Sequence, residues 1–325
     1  MPHDHNRDDK DREFEGRTYL YIRTHPSDTG AEPLPAGLPF WTSPDIVVIR
    51  PDGTPGSEAV ADQENRIQVT VNNKGGITAV DAFVDAFFAD PSTAFTPATA
   101  TLIGSGYLTI PGYGAAQISL PWTPPASEAG HRCLLARVSL IFPPDTYVNP
   151  AVFDVVGDRH VAQRNIHVVA LTGATKSLKF SFGIVNPLME TIDARVMARE
   201  IRNPAQVAQM RAGLGCGMAQ FAQTPLREFG IALGEDRLLD PEVDRPAFRP
   251  GIDLRLPRTG VLPRVRMEAP KKALSVSLEP GEVRQAVLHV ARNPDTRPGD
   301  LHAIEIVQVD RKKRLIGGLT VVVQH

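Results

Sequence analysis

The sequence is poor in cysteine and has no long apolar run. Cys133 and Cys216 are the two cysteines among 325 residues, and we assign them to different halves, which argues against an intradomain disulfide, a zinc signature or a redox pair. No apolar stretch approaches the length of a membrane span. The polar N-terminus, MPHDHNRDDKDREFEG, lacks the apolar core of a secretory signal. The sequence therefore predicts a protein that is cytoplasmic as synthesised, and leaves a place in a released or extracellular particle open.

Proline is abundant, with 29 residues beside 26 glycines, which argues against long helices and for short strands joined by turns. Charge is uneven along the chain, although the formal net charge is only -2. Residues 171–325 hold 23 Lys and Arg against 17 Asp and Glu, and the remainder holds 12 against 20. The two halves could attract each other or neighbouring copies head to tail, or they are simply two solvated surfaces. Neither half has the basic, aromatic-interleaved stripe that nucleic-acid binding needs.

The first half reads as an arm followed by a β-sandwich. Residues 1–16 are polar and densely charged, which predicts disorder, and residues 17–23 predict a short strand. Residues 1–39 are therefore predicted to form a partly disordered, extended N-terminal arm suited to docking on a sheet edge. Short alternating or apolar segments separated by turns then predict a sandwich over residues 40–170. The predicted strands are 46–50, 66–71, 79–88, 102–110, 116–120, 131–140 and 161–169.

The second half, residues 171–325, repeats this pattern with one interruption. Asn203 and Pro204 are typical of a helix start, and Gly213 of its stop, so one short helix is predicted between them. Residues 214–262 are poorly periodic and predict a long irregular excursion, so the departure from the sandwich spans about 203–262. The predicted strands are 178–185, 191–199, 273–278, 284–290, 301–309 and 315–323, with residues 311–314 as a hairpin tip.

The halves also match each other in sequence. VTVNNKGGITAVDAFVDAFF at 69–88 and FSFGIVNPLMETIDARVMAR at 180–199 each combine a strand, an Asn-containing turn and a second strand. GHRCLLARV at 130–138 and GDLHAIEIV at 299–307 each place Gly and His before an apolar strand. These pairs indicate a tandem duplication of one sandwich module.

This strand order, the Asn-Lys-Gly turn and the stretches FWTSPDIVV, PWTPP, GHRCLLARV and VAQRNIHVV resemble bacterial immunoglobulin-like domains of the cell-adhesion-related (CARDB-like) type. The resemblance covers roughly residues 41–325. It implies an all-β fold, two immunoglobulin-like β-sandwiches in tandem, and binding, adhesion or scaffolding. It carries over no catalytic residue. The absent secretion signal and the predicted helix are departures that weaken a surface-adhesin role.

Residues that could carry chemistry are scattered. His131 and Cys133 could form a base and nucleophile, but a cysteine in an apolar strand usually packs as a small hydrophobe. His289 and His302 could be neighbours on adjacent strands, without metal-ligand spacing. Gly213-Leu-Gly-Cys-Gly217 lacks the Lys-Ser/Thr of a phosphate loop. We therefore assign no catalytic residue, no metal and no cofactor.

Aromatic residues supply the candidate partner contacts, namely Tyr19, Tyr21 and Trp41. Trp41 and Trp122 are the only tryptophans, and each could instead fill the core or a domain edge. The sequence predicts a non-catalytic structural or adhesive protein, a subunit or decoration of a larger assembly, contacting a protein partner or its own copies. Two alternatives remain: a carbohydrate-binding module with an exposed Trp or Tyr platform, and an enzyme with a site in residues 214–262. We also expect both sandwiches to stay folded without residues 1–39.

Overall fold

A computed structural model describes residues 13–35, 40–56, 59–126, 132–170, 177–208, 220–234, 271–291, 295–297 and 299–325. Within these ranges the chain is built from short strands, most of them antiparallel. The strands up to residue 164 are β1 Leu20–Tyr21, β2 Ile46–Ile49, β3 Pro55–Gly56, β4 Asn65–Asn73, β5 Ala79–Ala89, β6 Thr101–Ile110, β7 Ala115–Trp122, β8 Cys133–Leu140, β9 Asp145–Thr146 and β10 Val161–Arg164. The later strands are β11 Ile166–Ala170, β12 Ser177–Val185, β13 Ile192–Glu200, β14 Phe229–Leu233, β15 Ala273–Leu278, β16 Val283–Ala291, β17 Leu301–Val309 and β18 Leu315–Gln324.

The predicted all-β fold of two immunoglobulin-like sandwiches is confirmed. In the first sandwich, β4 pairs with β1 and β2 on one side and β7 on the other, and the facing sheet runs β10-β8-β5-β6. In the second, one sheet runs β12-β16-β14 and the other β11-β18-β17-β13-β15. Each sandwich encloses its own cluster of buried apolar side chains. Alternate residues of β4 in the first sandwich and of β13 and β15 in the second point into these clusters, because successive side chains of a strand lie on opposite faces.

The two sandwiches repeat one strand order. The order β10-β8-β5-β6 corresponds to β18-β17-β13-β15, all antiparallel, and β11 adds a parallel strand to the second set. Both halves also carry a buried asparagine in the turn that crosses between their sheets. Asn73 Nδ2 donates to Ile77 O at 2.8 Å, and Asn186 Nδ2 donates to Glu190 O at 2.8 Å. The alignment of 69–88 with 180–199 made from the sequence places Asn73 opposite Ile184. The structurally equivalent residue is Asn186, so that alignment is shifted by two residues at this turn.

Two predicted segments are corrected. Residues 161–169 are not one strand: β10 pairs with β8 of the first sandwich, and β11 pairs with β18 of the second. The irregular excursion at 214–262 contains β14, which pairs with β16 along Phe229–Leu233. The rest of that excursion, apart from residues 220–228 and Gly234, lies outside the described residues. The domain boundary expected between residues 170 and 171 stays a prediction.

The predicted helix begins where expected. Residues 204–208 are helical, and Asn203 Oδ1 accepts a hydrogen bond from Ala205 N at 2.9 Å, as an N-cap residue does. Its predicted end near Gly213 lies outside the described residues. Among the described residues, short helical turns also cover residues 13–15 and Pro97–Thr99. No helix in the described ranges has the length and apolar character that a membrane crossing requires.

Residues 17–35, which we call the N-terminal strap, lie against the first sandwich. β1 pairs with β4 through Leu20↔Asn73, and the side chains of Leu20 and Ile22 are fully buried in the core of the sandwich. Ile22 N also donates to Arg159 O at 3.0 Å. The expectation that the sandwich stays folded without residues 1–39 is therefore corrected, because that deletion removes core side chains.

Candidate functional site

Three features of the described residues could serve function: the junction between the sandwiches, a buried charged cluster, and an exposed apolar end. The junction centres on Trp41, which is 2% exposed. Its indole Nε1 donates to Thr320 Oγ1 of β18 at 2.7 Å. The prediction that Trp41 contacts a partner at the surface is therefore wrong. Its position agrees with the alternative prediction, in which it packs in the core or at a domain edge.

Backbone and side-chain hydrogen bonds continue across this junction. Thr93 N donates to Gly183 O at 2.9 Å, and Asn165 Nδ2 donates both to Ser92 O at 2.8 Å and to Gly318 O at 3.1 Å. The packing is close, since a Cβ added to Gly317 would lie 1.7 Å from Thr93 O. Because buried polar groups are satisfied across the junction, bending it would leave them without partners. The two sandwiches are therefore held at a fixed angle.

The buried charged cluster centres on His160, which is 2% exposed. Its Nδ1 lies 2.8 Å from Asp158 Oδ1, and its Nε2 lies 2.8 Å from Asp145 Oδ1. Arg159 Nη2 lies 2.5 Å from the same Asp145 oxygen, and Arg159 Nη1 lies 2.5 Å from Glu32 Oε2. Sequence patterns gave no signal of this cluster, because its members lie on separate segments.

Glu32, Asp158 and His160 bring ligand atoms within 4.8 Å of one another, as metal sites do. These atoms already face proton donors. Asp158 Oδ2 accepts Val148 N at 2.7 Å, and Glu32 accepts hydrogen bonds from the backbone and guanidinium of Arg159. A cation would have to displace these donors and lie beside an arginine, so the arrangement favours a closed charge network.

The cluster shifts the ionisation of its members. Burial by itself lowers the pKa of His160, but the hydrogen bonds that its ring donates to Asp145 and Asp158 outweigh burial and raise that pKa above the usual value. Burial likewise acts to raise the pKa of Asp145 and of Asp158. The hydrogen bonds that His160 and backbone amides donate prevail and hold both pKa values below their usual range. Together these shifts favour a cationic ring between two carboxylates.

The exposed apolar end of the first sandwich, which we call the apolar end, lies where three turns meet. The β6–β7 turn touches the β4–β5 turn, since Tyr113 N donates to Gly75 O at 2.8 Å. The β8–β9 turn follows Leu140 and falls at the same end, because β8 runs antiparallel to β5 with Ser139 opposite Phe83. The apolar side chains exposed there are Ile77 (40%), Val80 (55%), Tyr113 (61%), Ile141 (89%) and Phe142 (85%).

Exposed charges of both signs surround the apolar end. Glu13 and Arg17 form an ion pair at 3.1 Å, and Lys74 and Asp81 are exposed on the β4–β5 turn and at the start of β5. This end was not predicted from the sequence. The signal available was the apolar pair Ile141-Phe142 standing directly before two prolines, where a turn normally carries polar residues.

Tyr19 and Tyr21, the other predicted contact residues, are half-buried in the N-terminal strap. Tyr19 donates its hydroxyl to Gly30 O at 2.7 Å, and the Arg159 guanidinium lies 4.0 Å from its ring centroid. The Tyr21 ring packs on Gly30, where a Cβ would lie 2.9 Å from Tyr21 Cγ. Burial raises the pKa of both phenols. Both rings thus support the strap, and a role in partner contact stays a prediction.

Other predicted site residues are separated or undescribed. Cys133 is fully buried beside Asn165, and its predicted partner His131 lies outside the described residues, as do Cys216 and the Gly213–Gly217 stretch. His289 pairs with Lys179 in one sheet, while His302 pairs with Val323 in another, so the idea that they are neighbours on adjacent strands is wrong. His302 instead lies 2.8 Å from Glu200 through its Nδ1.

Comparisons with known proteins complete the description of these sites. No family model matches the chain, and no curated protein matches it. Among solved structures it is similar to the CARDB domain of the PF1109 protein from Pyrococcus furiosus in complex with di-metal ions, at 16% identity over 32% of this chain and 76% of that chain, with a TM-score of 0.23. It is also similar to a protein of unknown function from Porphyromonas gingivalis W83, at 11% identity over 81% of this chain and 92% of that chain, with a TM-score of 0.19.

A red sea bream transglutaminase aligns with 86% of this chain and 31% of its own, at 12% identity and a TM-score of 0.20. At such TM-scores these likenesses carry no argument about family or activity. The sandwich fold rests on the strands and sheets themselves, and the CARDB-like family assignment stays a prediction from the sequence.

Proposed function

We propose that the chain is a non-catalytic structural or adhesive protein, a subunit of a larger assembly in which copies contact one another through their immunoglobulin-like sandwiches. The observation that carries this proposal is the apolar end. Five large apolar side chains are exposed at this one end, with Ile141 and Phe142 at 89% and 85% exposure. Large apolar side chains exposed at one end of a folded protein are typical of a contact site.

The occupant we assign to the apolar end is a second copy of the chain. The half that carries this end, residues 1–170, has 12 basic against 20 acidic residues, while residues 171–325 have 23 against 17. Opposite net charges favour a head-to-tail approach of two copies. An apolar centre with a rim of both charge signs is the usual anatomy of a protein interface. The described residues around this end show no excess of the cationic side chains that an anionic membrane attracts.

The junction between the sandwiches supports a structural role. The Trp41–Thr320 hydrogen bond and the close approach of Gly317 to Thr93 hold the sandwiches at one angle. A copy of fixed shape repeats its contact geometry along an assembly, whereas a copy with a loose linker would not.

The test is the native mass in solution, measured by light scattering over a range of protein and salt concentrations. We expect mass above that of one chain, rising with concentration and falling with salt as charge attraction is screened. The double variant Ile141→Ser/Phe142→Ser should remain a single chain under the same conditions. Met189→Ser is the matched control, because Met189 is 83% exposed in the second sandwich, outside the apolar end.

Two outcomes contradict the proposal. One is a wild-type mass of one chain at every concentration and salt level. The other is an assembly that Ile141→Ser/Phe142→Ser and Met189→Ser leave equally intact. Circular dichroism of each variant establishes that it is folded before the masses are compared.

Carbohydrate binding is the second candidate, and one observation favours it. Tyr107 is 69% exposed on β6 with its ring centroid 5.2 Å from that of Phe83, which offers an aromatic platform to a sugar ring. Trp41 offers none, since it is buried. Retardation of the protein in polysaccharide-containing gels, lost in Tyr107→Ala but kept in Tyr113→Ala, would support this candidate. Equal mobility of wild type and Tyr107→Ala in all gels would refute it.

A further inference from the structure

Both ring nitrogens of His160 face a carboxylate oxygen. Nδ1 lies 2.8 Å from Asp158 Oδ1 and Nε2 lies 2.8 Å from Asp145 Oδ1, in a site where His160 is 2% exposed. An ionised carboxylate only accepts hydrogen bonds, and a neutral imidazole has a single N–H. A neutral ring would therefore point one nitrogen lone pair at a carboxylate oxygen with no water to separate them. Only the doubly protonated ring satisfies both contacts.

We propose that the protonated form of His160 holds the N-terminal strap against the first sandwich, and that loss of this proton weakens the attachment of the strap. This inference holds whether or not copies of the chain contact one another.

The strap is attached through the same carboxylate that the ring holds. Asp145 uses Oδ1 for His160 and Arg159, and its Oδ2 accepts the backbone N–H of Leu20 at 2.7 Å. Leu20 stands in β1, and its side chain is fully buried in the sandwich core. When the ring is neutral, Asp145 either loses the N–H of a cationic partner or faces a repelling lone pair. Its carboxylate is then no longer fixed in the orientation in which Oδ2 accepts Leu20 N.

A second line of contacts joins the strap to the residue beside His160. Arg159 N donates to Glu32 Oε1 at 3.0 Å, and the Arg159 guanidinium faces Glu32 and covers the ring of Tyr19. The groups that face or adjoin His160 are thus Asp145 from β9, Asp158 and Arg159 from its own segment, and Glu32 and Tyr19 from the strap. Carboxylates outnumber the arginine in this group, so the cluster as a whole favours a cationic ring.

The direction of the pH effect follows from linkage. Because the pKa of His160 is raised in the folded protein, its contribution to the stability of the folded state, in which the strap is attached, is fully present below the unfolded pKa, near 6.5. That contribution decreases as the pH rises from there to the folded pKa. The equilibrium between this folded state and states in which the cluster is open shifts by up to about tenfold for each pH unit across this window. Above the folded pKa no further loss comes from this group.

The experiment is hydrogen–deuterium exchange on the full-length chain from pH 6 to pH 9.5, followed in peptides covering residues 17–35 and corrected for intrinsic exchange rates. We expect strap protection to be constant near pH 6 and then to fall by up to about tenfold per unit. Peptides from β17 and β18 should show no such fall. In His160→Gln, whose amide cannot donate to both carboxylates, the strap should exchange faster at pH 6 and lose this pH dependence.

Matched variants keep the test falsifiable. His289→Gln changes a half-buried histidine of the second sandwich whose pKa burial lowers, and should leave the strap profile unchanged. Asp158→Asn removes one of the two carboxylates, so the protection of the strap should begin to fall at lower pH. This variant tests the role of the protonated ring even if His160→Gln does not fold. Corrected strap protection that is flat over the whole range in the wild type would overturn the proposal. So would a His160 ring signal in NMR titration with a pKa at or below 6.5.

Discussion

The indole Nε1 of Trp41 donates a hydrogen bond to the hydroxyl of Thr320, and this 2.7 Å contact ties the entry of the first sandwich to the last strand of the second. Both residues are almost fully buried, at 2% and 1% exposure. Residues that stand at opposite ends of the sequence therefore stabilise one interface, and the unfolding of the two sandwiches should be coupled through it.

Thr320→Val keeps the shape of the side chain but leaves the buried Trp41 N–H without its acceptor. We expect the free energy of unfolding to fall by about 1–3 kcal/mol. Urea titration monitored by tryptophan fluorescence measures this decrease. The double variant Trp41→Phe/Thr320→Val, compared with the two single variants, gives the coupling energy between the two side chains. Additive effects of the two changes would show that the contact contributes nothing.

A methyl group at Gly317 would be placed 1.7 Å from the backbone oxygen of Thr93, across the junction. Gly317→Ala must therefore push the sandwiches apart, and we expect it to destabilise the protein by at least about 1–3 kcal/mol. The matched control is Gly104→Ala, since the nearest atom to a Cβ there, Leu120 Cβ, lies 3.8 Å away. Equal melting temperatures for the two variants in calorimetry would contradict the tight junction.

The buried turn asparagines should be comparably important in each sandwich. Asn73 Oδ1 accepts the N–H groups of Tyr19 and Gly75, and Asn186 Oδ1 accepts that of Leu188 while its Nδ2 reaches Leu278 O. Asn73→Ala and Asn186→Ala each leave buried backbone groups without a hydrogen-bond partner.

We expect each asparagine variant to lose at least about 2 kcal/mol in urea unfolding. Gln117→Ala, at an exposed position of β7, is the control and should change stability by less than about 0.5 kcal/mol. A loss in either asparagine variant no larger than the control would argue against the shared role of these turns.

Acid should destabilise the first sandwich through Asp145 and Asp158. The folded pKa of each carboxyl is lowered, so their contribution is present above the unfolded value near 3.8 and is lost as the pH falls through the folded pKa. Urea midpoints measured from pH 6 down to pH 2 should fall, and Asp158→Asn should flatten part of that fall. An unchanged slope in Asp158→Asn would mean that other carboxyls control acid unfolding.

Cys133 should be unreactive in the folded protein. Its thiol is fully buried, and burial raises its pKa far above that of a free cysteine, so almost no thiolate is present at pH 8. In a Cys216→Ser background, a thiol reagent should modify Cys133 only in denaturant. Stoichiometric modification of the native protein within minutes would contradict the burial of this residue.

Local patterns were sufficient to predict most strands. Alternation over 66–71 located β4, because one face of that strand is buried and the other is largely not. The apolar character of 301–309 located β17, which is buried on both faces along most of its length. The helix start at Asn203 was equally readable, since capping is chemistry between near neighbours. The strand β14 was missed, because five residues within a Pro- and Arg-rich stretch carry too little periodicity to stand out.

The candidate sites were less predictable than the strands. The sequence around Trp41 does not distinguish an exposed aromatic platform from a buried side chain. Its burial depends on contacts with Thr320 and Gly318, which lie far along the chain. The apolar end exists only because the antiparallel pairing of β5 and β8 brings Ile141 and Phe142 to the same end as Val80.

The all-β class, the repeated sandwich and the turns can be predicted from the sequence, since they follow from periodicity and from the conformations that Pro, Gly and Asn allow. Three features follow from the packing in three dimensions: the strap belongs to the core, residues 161–169 divide between the sandwiches, and His160 lies between Asp145 and Asp158. The reason is that burial and charge pairing depend on distances in space between residues that are remote in the chain, and no local pattern encodes those distances.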